Sequence, residues 1–313
     1  MIAFLAKRTV ALVATVLLAS FAVFLIPYAT PGDPARKIIR SRVAGDAIDE
    51  SAISSLTTEL GLHDPLFVQF HRWLGRFLSG DMGLSYSSQT PVVEQVLPAL
   101  GITLTLVVAA LGVAVLVSLI LGITSGLHEG RRTDRVITTV TQALIAIPEY
   151  WLAPMLVLIF AVKLTLLPSA GWVSGASLVL PVAVLAARPS SYFTSAVRSG
   201  MIEALDAEHV TAARSRGLSY PRTIMRHVIP NGLLPLATLL AVWFAGLLGG
   251  SVIVEVIFSI PGMGRLLYDA VLNNDIPVAQ GSVVLVVALA VAITTMADLV
   301  HRTLNPLLGD NRA

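Results

Sequence analysis

The chain has 313 residues, 55% of them hydrophobic and only 13% charged, with a formal net charge of +2 and a mean hydropathy of +0.81. A soluble domain carries about 25% charged residues, so lipid surrounds this chain, and its small basic excess marks membrane topology rather than a nucleic-acid surface. Cysteine is absent, which excludes disulfides, thiolate metal sites and a cysteine nucleophile.

A helix needs about 20 apolar residues to cross the hydrocarbon, and six stretches meet or approach that length. The first covers residues 9–29, behind Lys7 and Arg8. Its apolar run exceeds the roughly 7 to 15 residues of a signal-peptide core, and Pro31 crowds any cleavage point, so a membrane helix is expected rather than a cleaved leader. An extracytoplasmic segment, residues 30–98, follows. Within it Leu66, Phe67, Phe70, Trp73, Leu74, Phe77 and Leu78 recur at helical spacing, with Arg72 and Arg76 on the other side. That stripe predicts an amphipathic helix resting on the outer mouth or the lipid surface. A shorter helix is expected over residues 51–60. Gly80, Gly83 and Pro91 punctuate the return to the membrane.

Residues 99–300 form the expected five-helix core. The second span lies within 101–127. The third lies within 136–162, interrupted by Pro148 and Glu149. The fourth, 177–197, contains Arg188 and Pro189, and the fifth and sixth cover 233–257 and 278–297. Short basic connections face the cytoplasm. Lys7, Arg8, Arg131, Arg132, Arg135, Arg198, Arg214, Arg216, Arg222, Arg226, Arg302 and Arg312 all fall on one side if both termini are inside. The expected fold is therefore an all-α polytopic membrane protein of six transmembrane helices, N-in and C-in, with a cytoplasmic tail at 301–313.

Charges at bilayer depth cost about 2.5 to 3.5 kcal/mol each and tend to face a bundle interior or a wet cavity. Glu149, Arg188, Glu255 and Asp298 are such groups. Glu149 and Arg188, with Tyr192, either line a translocation pathway or form a structural pair; Glu255 and Asp298 lie near span ends and read as structural.

The connection between the fourth and fifth spans, residues 203–230, is long for its place. Good helix formers run to Arg216, Gly217 suits a left-handed helix end, and Pro221 sits inside a plausible second helix. Pro230 marks the return to the membrane. Ala212 and Ala213 are small enough to let another surface approach the helix, and Arg214 and Arg216 offer charge. On spacing alone this is either an ordinary loop helix or a docking element.

Thr211-Ala-Ala-x-x-x-Gly217, followed by Ile229-Pro230, resembles the EAA loop of binding-protein-dependent ABC importer permeases. Thr211 stands where the family has Glu, His227 where it has Ile, and Ile229 where it has Leu. Further blocks resemble the dipeptide and oligopeptide branch: Pro31-Gly-Asp-Pro34, Leu60-Gly-Leu-His-Asp-Pro65, Gly80-Asp-Met-Gly-Leu-Ser85, the run Val254 to Arg265, Asp275-Ile-Pro-Val-Ala-Gln-Gly281, and Asn305-Pro306. The resemblance covers nearly the whole chain. It implies one permease domain over residues 1–313 and a coupling helix between the fourth and fifth spans that touches an ATPase through Thr211, Ala212, Ala213, Arg214, Arg216, Gly217 and Pro230. It also implies a second permease, two ATPase subunits and an extracytoplasmic substrate-binding protein, in the plasma membrane of a prokaryote.

The chain has no Gly-x-x-x-x-Gly-Lys-Ser/Thr phosphate cradle, and none of Lys7, Lys37 and Lys163 follows a glycine. ATP and Mg are therefore expected on the partner ATPases, with no cofactor on this non-catalytic subunit. An autonomous secondary transporter would show paired broken helices in matching halves, and the proline-broken third span has no matching half. An intramembrane enzyme would need a nucleophile or metal constellation that the sequence does not present. Within the branch, which also includes oligopeptide, nickel and haem importers, dipeptides are the expected substrate.

Overall fold

The structure, a computed structural model, describes residues 2–29 and 64–304. The helix expected over residues 51–60 lies outside them, as does most of the tail. The chain divides into two compact units, Met1–Ile102 with Pro261–Ala292, and Thr103–Ile260 with Ile293–Ala313.

In the first unit, helix α1 (Ile2–Phe24) is followed by a short helical turn, Ile26–Ala29, and the stripe at 66–78 folds as α2 (Leu66–Leu78). Part of the stripe finds its partner on α1. Phe70 meets Phe21 edge-on at 5.1 Å and Phe24 at 5.5 Å, and Trp73 lies 5.9 Å from Phe24. Phe67 and Leu78 stay 77% exposed. Gly80 and Gly83 adopt φ of +89° and +83°, conformations open to glycine because it lacks a Cβ. The chain then enters α3 (Val92–Leu127). After α10 (Met263–Leu272) it reaches α11 (Ile276–Leu304). Val92, Val96, Met263, Ala270, Val278 and Ala279 make the buried core here, and Gln280 Nε2 donates to the Val23 carbonyl at 3.1 Å.

In the second unit, α3 ends at Leu127 and α4 (Arg132–Ala146) turns back after Gly130. The third span departs from a simple crossing. Ile147 is extended (φ −82°, ψ 120°) as the residue before a proline must be, and α5 (Glu149–Leu156) sets off at 103° to α4 before widening to π geometry over Val157–Lys163. Among the described residues, five helices are long and apolar enough to cross a membrane, and six when this bent pair counts as one span.

The next helix, α6 (Val179–Asp206), continues past residue 197, and Pro189 does not end it. It is the buried spine of the unit: Val184, Leu185, Phe193, Val197 and Met201 are all 0% exposed. After α7 (Glu208–Ser215), the chain is helical from Tyr220 almost without interruption to Gly250, passing through a π turn at Ile224–Val228 into α8 (Leu234–Gly250). Pro230 thus sits inside a run that begins before it and does not open a new helix. It has no N–H for the carbonyl four residues back, and the ladder widens to π just ahead of it. The fifth span also breaks at Ser251, so α9 (Val252–Ile257) is a separate short helix.

Candidate functional site

Helix α7 is joined to α6 only through Ala207, whose extended backbone (φ −67°, ψ 141°) redirects the chain. Its far end closes by hydrogen bonds from Leu218 N–H to the Ala213 carbonyl (3.3 Å) and from Gly217 N–H to the Arg214 carbonyl (2.9 Å). With Gly217 at φ +86°, this is the Schellman termination that the glycine predicts. Arg214 then lies over the Tyr220 ring, 5.3 Å from its centre, bracing the turn through a cation–π contact.

The helix is two-faced. Val210 and Ala213 are 0% exposed and pack within their own chain, while Thr211, Ala212, Arg214, Arg216 and Gly217 face outward, as does Pro230. Of the two small residues only Ala212 is on the open face. Beyond the turn, Asn231 Nδ2 donates to the His227 carbonyl at 2.6 Å, and the His209 and His227 rings lie 6.3 Å apart. A short, preformed helix with an alanine and two arginines outward is what a rigid docking element requires.

The interior charges come from the bend and from α6. Glu149 is the first residue of α5, directly after Pro148, whose carbonyl accepts from the N–H groups of Trp151 (3.1 Å) and Leu152 (3.0 Å). Arg188 precedes Pro189 in α6. The two side chains are half-buried, and the guanidinium charge acts on the Glu149 carboxyl. The Arg188 Nε is buried without a hydrogen-bond partner, in a position where an unmet donor costs about 1 to 3 kcal/mol. Tyr192, one helical turn beyond Arg188, is 39% exposed and its ring sits 5.3 Å from that of Trp243. Glu255 is fully buried, accepting from Thr103 Oγ1 (2.7 Å) and Ser251 Oγ (2.8 Å), in keeping with a structural role. Asp298 is half-buried on α11.

Two carboxylates escaped sequence reasoning as organising groups. Asp134 is a first-turn acid in a connection read only for its basic charge, and it pairs with Arg198 through two bonds of 2.6 and 2.8 Å. Asp275 binds the loop after Gly83. Both partnerships span long sequence separations, so no local spacing signals them.

The sequence profile of the binding-protein-dependent transport system inner membrane component family matches residues 118–310, and the profile for the N-terminal part of such membrane components matches residues 1–107. The metal-staphylopine import system permease protein of Staphylococcus aureus (strain NCTC 8325) is 33% identical over 310 residues, covering 99% of each chain. The glutathione transport system permease protein of Salmonella typhimurium is 34% identical over 308 residues, covering 98% of this chain and 99% of its own. In fold, the chain resembles a crystal structure of an amino acid ABC transporter, with a TM-score of 0.52 at 19% identity over 66% of this chain and 92% of that one. The chain belongs to the peptide-type family of binding-protein-dependent importer permeases, as a multi-pass inner membrane transport subunit.

Proposed function

We propose that this subunit, N-in and C-in, forms one half of the pathway of an ATP-driven importer of small peptides, with dipeptides as its principal substrates. A second homologous permease supplies the other half, two ATPases bind ATP and Mg and drive the cycle, and an extracytoplasmic binding protein delivers the solute. The observation that carries the reading is the glycine-closed helix α7, whose outward residues coincide with the EAA-like block. It gives a partner ATPase a stiff handle on α6. Thr211, Ala212, Arg214, Arg216 and Gly217 form that handle, Ala213 anchors it from behind, and Pro230 lies where the second helix leaves the turn.

Glu149, Arg188 and Tyr192 support the substrate class. A short peptide is a zwitterion, and a carboxylate and a guanidinium at one level of the interior suit its two ends. The donor left unmet on Arg188 has the chemistry to bind a carboxylate.

Reconstitution of both permeases, both ATPases and the binding protein in liposomes tests this. ATP-dependent uptake of labelled dipeptide, absent without ATP, is the expected result. Uptake by this chain alone without ATP would sink the reading. Uptake of a metal–staphylopine complex with no uptake of dipeptide or tripeptide would replace the substrate and leave the architecture.

A further inference from the structure

Asp134 is 3% exposed, and its two oxygens meet five donors. Oδ1 accepts from Arg198 Nε at 2.6 Å, from Ser125 Oγ and, more weakly, from Thr138 Oγ1 at 3.4 Å; Oδ2 accepts from Arg198 Nη2 at 2.8 Å and from the Gly130 N–H at 2.9 Å. A single carboxylate therefore ties together the end of α3, the turn after it, the start of α4 and the C-terminal part of α6.

Stability alone is a poor reason for such a group, since an apolar cluster of equal volume serves as well or better. What the forked pair supplies is direction. Two parallel charge-assisted bonds fix the orientation of one helix against the other. The neighbouring contacts remove slack. A Cβ on Gly122 would lie 2.7 Å from the Val197 side chain, and one on Gly126 would lie 2.6 Å from that of Met201, so α3 and α6 already touch backbone to side chain on either side of Arg198.

Position gives the pair its consequence. Arg198 lies about two helical turns before α6 ends at Asp206, and only Ala207 separates that end from α7. Asp134 lies at the start of α4, which packs along α6 and runs 15 residues, about 22 Å at the usual rise, to the bend that presents Glu149. One end of this train is the docking helix and the other is the pathway charge.

We propose that the Asp134–Arg198 pair is a positioning joint that converts displacement of α7 into tilting of α4, and so into opening and closing at Pro148 and Glu149. The joint rests on the reading of α7 as the ATPase-docking helix. In a version without it, the nucleotide cycle still moves α6, but α4 no longer follows in register.

The test measures solute imported per ATP hydrolysed in the complete reconstituted complex, normalised to assembled complex. Asp134→Asn keeps the shape and the Ser125 and Gly130 neighbours but removes the charge. It should retain the ATPase subunits and binding-protein-stimulated hydrolysis while import per ATP falls at least tenfold. Arg198→Lys, which keeps charge without the fork, should lose less. Wild-type import per ATP in Asp134→Asn overturns the joint. So does a loss in which import and hydrolysis fall together with assembly, equally for both variants, because that is a folding role alone. Gly217→Trp, run in parallel, separates the two readings. If it leaves stimulated hydrolysis intact, the docking assignment has failed. If it abolishes stimulated hydrolysis while Asp134→Asn couples normally, only the joint has failed.

Discussion

Ser85 donates a hydrogen bond to the Asp275 carboxylate across 190 residues of sequence. Tyr86 N–H (3.0 Å), Ser87 N–H (3.1 Å) and Ser87 Oγ (2.8 Å) donate to the same group. This joins two of the blocks by which the sequence resembles the peptide branch, and it places the acid just before α11, at 2% exposure. Asp275→Ala would strand the buried Ser85 hydroxyl and the half-buried Tyr86 N–H, at about 1 to 3 kcal/mol for each one left unmet, while the exposed Ser87 donors turn to water. A loss of about 3 kcal/mol is expected, read as a fall of several degrees in the melting temperature of the purified subunit, with Asp275→Asn losing less. An unchanged melting temperature for the alanine variant would show that the loop does not depend on this anchor.

The same carboxylate predicts a pH dependence. Burial pushes Asp275 toward the neutral acid, but the bonds from Ser85, Tyr86 and Ser87 outweigh it and hold the group below the usual aspartate range. A depressed folded-state value means that the stabilisation is full above the unfolded value, about pH 4, and is lost as pH falls through the folded one. The melting-temperature advantage of the parent over Asp275→Asn should be constant from neutral pH to about pH 4 and shrink below it. An advantage that instead grows on acidification would reverse the sign assigned to these bonds.

What could be read from the sequence was local. Apolar runs located the spans, the stripe from Leu66 to Leu78 located α2, and Gly217 located the end of α7. The 103° turn at Pro148 was not legible, because a proline specifies a break and leaves its angle to the packing of α5. That the helix runs on through Pro230 was not legible either, because the π turn ahead of it has no sequence signature of its own. The pairing of Asp134 with Arg198 lay hidden among residues whose charge already had a sufficient explanation in topology.

Gly217 offers the most direct probe of coupling. Nothing lies within 4 Å of where its Cβ would be, yet its φ of +86° disfavours any L side chain, at about 1 to 2 kcal/mol. Gly217→Ala should therefore reduce coupling modestly. Gly217→Trp adds bulk on the open face and should abolish binding-protein-stimulated ATP hydrolysis while membrane insertion stays normal. Full stimulation in the tryptophan variant would remove α7 from the coupling path.

The pathway assignment predicts a division between Arg188 and Glu255. Arg188→Ala removes a charge whose Nε has no internal partner, so the folded protein should survive while peptide uptake falls at least tenfold at normal membrane levels. Glu149→Ala should behave likewise. Glu255→Ala should lower membrane levels and melting temperature first, because the acid is buried against Thr103 and Ser251. If correctly inserted Arg188→Ala and Glu149→Ala variants transport at the parental rate, the two charges are structural.

Gly200 and Gly232 mark a tight crossing in the second unit. A Cβ on Gly200 would press into the Gly232 carbonyl, and one on Gly232 would meet Met201 Sδ at 2.9 Å and its backbone at 3.1 Å. The obstacle at Gly200 is main chain, which cannot rotate aside as a side chain can, so α6 and the helical run after α7 would have to separate. Overpacking of this kind costs about 1 to 3 kcal/mol, and here it acts between α6 and the segment that follows the docking helix. Gly200→Ala should therefore lower the melting temperature and weaken coupling together, whereas Gly112→Ala, where a Cβ meets nothing within 4 Å, should leave both unchanged. A Gly200→Ala variant with parental stability would mean that this crossing is looser than the distances imply, and that α6 can slide on its neighbour as the transporter cycles.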